Sequence, residues 1–299
     1  MLSETSLTPS QLSAIERLST KRSTILVAPT GEGKTVICLS AIKKAIDAGK
    51  LTRVIVACPA KIVETRVWSK EAKKWSHLKD MRVVELKGTA TQREQTLYYG
   101  DTQVVVVSLN NLDWLLGGDH GCDGIIIDEL SKASGKQARG VTTKGKGECF
   151  KYRVGMTATP VSQDFQKLFA MTKLIDGGKA LGRNKQDFMN RFFYSDYMGY
   201  NWTLRDGAEA LIMEKISSLV HAIGDNKANT LPTLTQHVIR FDMPEDTRVV
   251  YDEMKKHMVV GDIEAANEAV KSGKLRQIAS GFMYDDGFED TTVSHLDMA

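Results

Sequence analysis

A glycine-rich segment that ends in lysine and threonine is the first candidate for chemistry in this sequence. It reads Ala28-Pro-Thr-Gly-Glu-Gly-Lys-Thr35, directly after an apolar run and directly before a helical pattern. Gly31 and Gly33 let backbone N–H groups turn toward an anion, and the start of the helix adds the positive end of its dipole. Lys34 can reach the outer phosphates of a nucleotide, and Thr35 offers a hydroxyl to magnesium. The pattern predicts a site for ATP and Mg²⁺, formed by Pro29, Thr30, Gly31, Glu32, Gly33, Lys34 and Thr35.

Two adjacent carboxylates could complete a nucleotide-hydrolysing site. They end the run Gly124-Ile-Ile-Ile-Asp-Glu129. Phosphoryl transfer needs one carboxylate for the metal and a second group that orients or activates water. We predict that Asp128 holds magnesium together with Thr35, and that Glu129 is the base. Lys34 is the second predicted catalytic residue, because its charge lies beside the reacting phosphate.

The elements that must position these residues alternate along the first 175 residues. Short apolar runs separated by helical patterns are typical of a parallel sheet covered by helices, and runs that are apolar on both faces favour buried parallel strands. The predicted strands are Thr24–Ala28, Arg53–Ala57, Met81–Leu86, Gln103–Ser108, Gly124–Asp128 and Tyr152–Thr157. The predicted helices are Lys34–Asp47, Ile62–Trp75 and Ala90–Tyr98. The sequence thus predicts an α/β fold of the P-loop NTPase type.

The chain changes character after Leu174. Several glycines precede an aromatic cluster, whose density is more typical of a local core than of a base-stacking surface. We predict a mostly helical appendage, a return strand at Thr233–Asp242, and helices near Glu245–Val260 and Asp262–Lys271. The predicted division is 1–178 for the ATP-binding lobe, 179–243 for the helical appendage and return strand of that same lobe, and 244–299 for a helical segment that would lead to a second lobe absent from this sequence. The aromatic cluster consists of Phe188, Phe192, Phe193, Tyr194, Tyr197, Tyr200 and Trp202.

Composition excludes some classes of protein and leaves others open. The net charge is +3 and the pI about 8.5, which is too weak a bias to identify a nucleic-acid binder by itself. The longest apolar runs are far below the roughly 20 residues that span a bilayer, and the start of the chain has no secretory pattern, so we expect a cytoplasmic protein. Four cysteines without paired spacing are expected to be buried free thiols. A basic segment at 131–153 could contact phosphates or simply be solvated.

The third motif, Gly155-Met-Thr-Ala-Thr-Pro160, is one of several that resemble a known family. Together with the phosphate loop and the Asp-Glu pair, it resembles the Snf-type branch of superfamily-two helicases and translocases, particularly the short phage-type members. The resemblance implies that Thr157 and Thr159 couple the ATP site to nucleic acid, although a capped turn at Pro160 would also explain the pattern. Leu7-Thr-Pro-Ser-Gln11 resembles the glutamine motif, with Gln11 as the adenine contact. Asp-Glu-Leu-Ser131 departs from the Asp-Glu-Ala-His form of related helicases.

Two further segments resemble the parts of the family that contact DNA. Cys58-Pro59, followed by Trp68, Glu71 and Trp75 on a helix, is similar to one such motif, and Ser108-Leu-Asn-Asn111 to the next. Trp68 and Trp75 lie seven residues apart on one helical face, which favours core packing. The DNA-binding residues that the resemblance implies are Pro59, Ala60, Lys61 and Ser108.

The resemblance implies a RecA-like first lobe of a motor that uses ATP and Mg²⁺ on double-stranded DNA, in the host cytoplasm if a phage encodes it. No second αβ unit follows Gly281 in this sequence. We therefore expect weak hydrolysis by this chain alone and a second RecA-like lobe on another polypeptide. Two alternatives remain open at this point: a nucleotide-gated DNA-binding or regulatory subunit without productive hydrolysis, and an RNA helicase lobe.

Overall fold

A computed structural model gives the architecture of the chain in two compact units, Met1–Thr230 and Leu231–Ala299. It describes residues 1–99, 101–118, 120–133, 141, 150–158, 165–197, 201–224, 242–260, 263–264, 268–285 and 292–295. The first unit contains every predicted nucleotide-site residue.

A seven-stranded sheet forms the centre of the first unit, and all its paired strands are parallel. The strands are β1 Ser23–Val27, β2 Val54–Cys58, β3 Val83–Glu85, β4 Val104–Ser108, β5 Gly124–Ile127, β6 Tyr152–Thr157 and β9 Val220–Ala222. Their order in the sheet is β3-β4-β2-β5-β6-β1-β9. Six of them overlap the six predicted strands, so the predicted α/β fold is confirmed. The strand β9 was not predicted.

Helices cover both faces of this sheet. They are α1 Pro9–Thr20, α2 Lys34–Asp47, α3 Ala60–Glu64, α4 Val67–Lys74, α5 Ala90–Tyr99, α6 Leu112–Leu116 and α7 Phe165–Asp176. Short 3₁₀ turns lie at Glu4–Ser6, Ser76–Leu78, Leu109–Asn111 and Leu130–Lys132. Alternate residues of the strands enter two separate apolar cores, as β-strand geometry requires. Within the described residues, no helix has both the length and the apolar character needed to cross a membrane.

The described residues 165–197 and 201–224 belong to the first unit. Helices α8 Lys185–Phe192 and α9 Ala208–Ile216 and the hairpin of β7 Phe193–Ser195 with β8 Trp202–Leu204 precede β9. The aromatic cluster supplies a third core, because Phe188, Phe192 and Phe193 are buried, whereas Tyr194 and Tyr197 are exposed. Since β9 pairs with β1, this segment adds a strand to the central sheet.

In the second unit, the described residues form two helices and two short hairpins. They are α10 Glu245–His257, α11 Glu268–Ala279, the pair β10 Val259–Val260 with β11 Ile263–Glu264, and the pair β12 Phe282–Asp285 with β13 Thr292–His295. The helix predicted at Asp262–Lys271 is wrong at its start, because Ile263 and Glu264 pair with the strand before them. Residues 233–241 of the predicted return strand lie outside the described residues. Met254 and Ile278 pack the two helices together.

Candidate active site

The phosphate loop lies between β1 and α2, at the carboxyl edge of the sheet. The Ala28 N–H donates to the Thr157 carbonyl over 3.0 Å, so the start of the loop is fixed to the end of the neighbouring strand. Gly31 and Gly33 have φ of 91° and 76°, in the left-handed region that favours glycine. A Cβ on Gly33 would lie 2.8 Å from the Gln11 side-chain nitrogen. The loop therefore requires glycine at 33 for both its conformation and its packing.

Lys34 begins α2 and directs its ammonium back over the loop. Its Nζ donates to the Ala28 and Pro29 carbonyls over 2.9 and 3.1 Å. These bonds hold a positive charge beside the helix start, where backbone N–H groups have no helical partners. Thr35 follows in the first turn and is half-buried. The arrangement fits a phosphate group and a hard cation, since both would find oxygen ligands or N–H donors here.

Gln11 supports the phosphate loop from α1. Its Nε2 donates to the Glu32 carbonyl over 3.0 Å, and its Oε1 accepts from the Thr8 N–H over 2.9 Å. The Gln11 N–H in turn donates to the Thr8 hydroxyl, which completes a capping box at the start of the helix. The side chain is 5% exposed. The adenine contact stays a prediction, and the structure adds a loop-supporting role that the sequence analysis missed.

Asp128 lies at the end of β5, next to the phosphate loop. Its N–H donates to the Ala57 carbonyl over 2.8 Å. Burial raises the pKa of its carboxyl; the Trp68 indole lowers it, the Glu129 carboxylate raises it, and Lys34 lowers it. Asp128 is thus close enough to Lys34 to interact with it. A partly desolvated carboxylate beside a lysine and a helix start suits a magnesium ligand.

Trp68 of α4 lies beneath this carboxylate. Its side chain is fully buried, as the sequence analysis expected of a core residue. The indole interacts with the Asp128 carboxyl strongly enough to lower the Asp128 pKa, although Nε1 meets no described acceptor within full hydrogen-bond geometry. Trp75 behaves differently, because its Nε1 donates to Glu71 over 2.9 Å. Both tryptophans are buried in the same core, which confirms the predicted packing, and they differ in what their indole N–H groups face.

Glu129 has an unusual backbone conformation, with φ of 63°. This left-handed geometry is costly for a residue with a Cβ and tends to occur at functional sites. The Ser131 hydroxyl donates to the Glu129 Oε1 over 2.7 Å. Glu129 is half-buried, so its carboxylate remains accessible. The pair Asp128 and Glu129 can therefore divide metal binding from water activation.

Thr157 ends β6 beside β1, in register with Val27. It is 1% exposed. Gly155, two residues earlier, permits close packing: a Cβ there would lie 2.5 Å from the Leu130 side chain. The motif is thereby packed against the residue that follows Glu129. Thr159 lies outside the described residues, so the coupling role of both threonines stays a prediction.

The predicted DNA-binding residues lie at the carboxyl ends of β2 and β4. Ala60 and Ser108 line the same cavity, of about 180 Å³. Pro59 is the N-cap residue of α3, and the Lys61 side chain is 81% exposed, with its Nζ 4.0 Å from a Glu64 carboxylate oxygen. The structure thus brings Ala60 and Ser108 together and leaves Lys61 free to reach a ligand.

Two cations in this cavity were missed by the sequence analysis. Lys87 donates to the Glu64 carbonyl over 2.6 Å, and Arg93 donates to the Gly88 carbonyl over 2.6 Å. The Arg93 guanidinium also lies 4.6 Å from the centre of the Trp114 ring. Neither residue belongs to a motif, and only the parallel order of β3, β4 and β2 places them here. We refer to the cavity with Lys61, Lys87 and Arg93 as the carboxyl-edge groove.

The structure describes three of the four cysteines. Cys38, Cys58 and Cys122 are buried and free, which confirms the expectation for these three, and Cys149 lies outside the described residues. Burial raises the pKa of the Cys58 thiol, which argues against a nucleophilic role.

The described residues contain no group of three or more His, Cys, Asp and Glu side chains placed to hold a metal. A magnesium ion at Thr35 and Asp128 would therefore need phosphate oxygens or water as further ligands.

Comparison with known proteins gives one family for almost the whole chain. The sequence profile of the SNF2-related domain matches residues 13–291. A protein of Acyrthosiphon pisum secondary endosymbiont phage 1, p41, is 28% identical over an alignment 297 residues long. The alignment covers 93% of this chain and 64% of p41.

Two solved structures share the fold. The Sulfolobus solfataricus SWI2/SNF2 ATPase core in complex with dsDNA has a TM-score of 0.58 and 19% identity, covering 91% of this chain and 58% of that one. The same organism's SWI2/SNF2 ATPase core domain has a TM-score of 0.59 and 18% identity, covering 91% and 56%. This chain therefore spans less than two thirds of each of these three proteins.

Proposed function

Because this chain belongs to the SNF2-related domain family, we propose that it is the ATP-binding lobe of a motor that couples Mg-ATP hydrolysis to movement along double-stranded DNA. The observation that carries the proposal is the placement of Lys34, Asp128 and Glu129 at one edge of the sheet, with the carboxyl-edge groove at the ends of neighbouring strands. Parallel αβ sheets bind their ligands at this edge.

Each residue has one task in the proposed reaction. Gly31, Gly33 and Lys34 bind the phosphates, and Lys34 stabilises charge that develops on the γ phosphate. Thr35 and Asp128 hold magnesium, which supplies Lewis-acid stabilisation of the phosphate oxygens when bound. Glu129 accepts the proton of the attacking water through its half-buried carboxylate. Thr157, at the end of β6, would couple this site to the bound nucleic acid.

The carboxyl-edge groove is the proposed contact with DNA. Lys61, Lys87 and Arg93 would meet phosphates, which position a protein on the duplex without reading its sequence. A relative with the same fold was solved with dsDNA, which supports duplex DNA as the ligand. Lys61 is the most exposed of these cations and is expected to contribute mainly through charge.

We further propose that a second RecA-like lobe, on another polypeptide or another segment, completes the motor. The described residues form one large parallel sheet, and the relatives are longer than the matched region. An arginine supplied across a domain boundary is worth about 10³ to 10⁵ in rate in related phosphoryl-transfer enzymes. The chain alone is therefore expected to bind ATP and to hydrolyse it slowly.

The test is steady-state ATP hydrolysis by the purified chain at low salt, without nucleic acid, with duplex DNA and with RNA. Lys34→Ala serves as the control for contaminating ATPases. We expect ATP binding with slow turnover, raised by duplex DNA more than by RNA, and lost in Lys34→Ala. Stimulation by RNA alone would favour an RNA helicase lobe. Fast DNA-stimulated turnover by the chain alone would contradict the need for a second lobe.

A second candidate is a nucleotide-gated DNA-binding subunit without productive hydrolysis. The observation that favours it is the single large sheet of the described residues. Titration of duplex DNA with and without ATP separates the two candidates. Nucleotide-dependent DNA binding with no turnover, even when longer relatives or their fragments are added, would support this second candidate.

A further inference from the structure

A basic cavity lies at the amino edge of the sheet, on the far side from the phosphate loop. Its volume is about 320 Å³. Arg22 directly precedes β1 and Lys151 directly precedes β6, whereas Lys34 follows β1. A five-residue strand is about 16 Å long, so the cavity and the nucleotide site lie at opposite ends of the same strands. The cavity is therefore a separate site within the first unit.

Four cations surround this cavity, and no acidic residue lines it. All four side chains are exposed. Among the described residues, none of the four has an ion-pair partner. The cations are Lys21, Arg22, Lys50 and Lys151.

Three acids of the same unit take part in other contacts. Glu16 forms an ion pair with Lys44, which lowers the Glu16 pKa, and Lys50 lowers it to a smaller extent. Asp47 is paired with Lys43 on the same helix. Asp123 accepts from the N–H groups of Thr52 and Arg53 over 3.1 Å. The lining of the cavity thus carries four positive charges and no negative one, which favours the binding of an anion.

Tyr152 forms one wall of the cavity. The residue is 5% exposed and also belongs to the apolar core on that face of the sheet. Its hydroxyl is buried, and burial raises the pKa of Tyr152 well above its ordinary value, with a further contribution from the core thiol of Cys38. The cations are therefore the groups of the lining that a ligand in the cavity can contact.

We propose that this cavity binds a compact anion that carries at least two phosphate groups, such as a di- or triphosphate. Four cations exceed what one phosphate needs, and the concave shape suits a small ligand better than the continuous backbone of a duplex. Multiple charge-assisted contacts to phosphate oxygens supply the affinity. The site is independent of ATP hydrolysis and does not rest on the proposed function.

The test uses inorganic tripolyphosphate, titrated calorimetrically into the full chain without magnesium. Lys34→Ala is the background, because it removes the phosphate-reaching lysine of the nucleotide site. We expect Lys21→Ala with Lys151→Ala to weaken binding about tenfold, roughly threefold for each exposed cation.

The control is Lys79→Ala with Lys215→Ala, two exposed lysines outside the cavity. This variant has the same net charge as the first and should retain the affinity of its background. Equal losses in both double variants would reduce the effect to net charge and overturn the proposal, as would unchanged binding in Lys21→Ala with Lys151→Ala. Duplex DNA serves as a second probe. Tighter binding of DNA than of tripolyphosphate, lost in the cavity variant, would assign the site to a phosphodiester backbone and overturn the compact ligand.

Discussion

The nucleotide site and the amino-edge cavity hold cations in opposite ways. In the nucleotide site Lys34 is half-buried, bound to two backbone carbonyls, and placed beside the carboxylate of Asp128. At the amino edge four exposed cations lie around a cavity whose lining has no carboxylate. A fixed charge with an acidic neighbour suits catalysis, which needs defined positions. Several exposed charges suit binding, which needs attraction more than exact placement.

The comparison breaks first if the carboxyl edge is not catalytic. Glu129→Gln removes the proposed base and keeps the shape of the side chain, so turnover should fall about 10²- to 10⁴-fold. ATP binding, followed by a fluorescent nucleotide analogue, should remain near the parent value. Loss of nucleotide binding would show that Glu129 shapes the site and is not its base.

Trp68→Phe tests whether Asp128 is positioned by the residue beneath it. Removal of the indole N–H should lower turnover about tenfold and raise the magnesium concentration needed for half-maximal rate, as groups behind metal ligands commonly do. Trp75→Phe is the matched control, since Trp75 is buried and its N–H bonds Glu71 instead. The two variants are compared at a range of magnesium concentrations. An identical magnesium dependence in both would leave Trp68 a packing residue.

Gly155→Ala sharpens the comparison through stability. The new Cβ would lie 2.5 Å from Leu130 Cδ2 and 3.1 Å from Ile175, which should cost about 1–3 kcal/mol of unfolding free energy. Since Leu130 follows Glu129, turnover should also fall. Gly224→Ala is the control, because nothing lies within 4 Å of a Cβ at that position. Denaturant unfolding of both variants measures the difference, and equal stability would contradict the packing argument.

The smallest expected effect concerns the pH dependence of stability. The pKa of Asp128 is raised above its ordinary value of 3.8, chiefly by burial, so the folded state retains this proton to higher pH than the unfolded state does. Its contribution to stability therefore declines as pH rises from 3.8 through the raised pKa. Asp128→Asn should melt at a higher temperature than the parent at pH 7, and the difference should vanish below pH 3.8. A lower melting temperature at pH 7 would mean that the carboxylate stabilises the fold.

The sequence predicted most of the strands and helices that depend on the pattern of apolar residues. The six strands from Ser23 to Thr157 were found because buried parallel strands are apolar on both faces, and Lys34–Asp47 was predicted with its observed bounds. The helix predicted over Ile62–Trp75 is divided at Arg66, whose φ is 56°. An arginine in the sequence does not indicate this left-handed conformation. We attribute it to the packing of α3 against α4.

The remaining differences come from contacts between distant residues. The strand Val220–Ala222 has three residues and becomes a strand by pairing with Ile25–Val27. The motifs that placed Lys34, Asp128 and Glu129 are local, so their neighbourhood was predictable. Lys87, Arg93 and the amino-edge cavity were not, because strand order alone brings their residues together.

Gln11 has a consequence for local motion. Its carboxamide joins the first turn of α1 to the phosphate loop, and the same residue closes the capping box with Thr8. A ligand that orders the loop must then also slow the opening of that turn, because coupling free energies are reciprocal. Amide hydrogen exchange near Thr8–Leu12 is therefore expected to slow when the loop binds the proposed nucleotide. The rate at which the first turn of α1 opens would then indicate whether the neighbouring site is occupied.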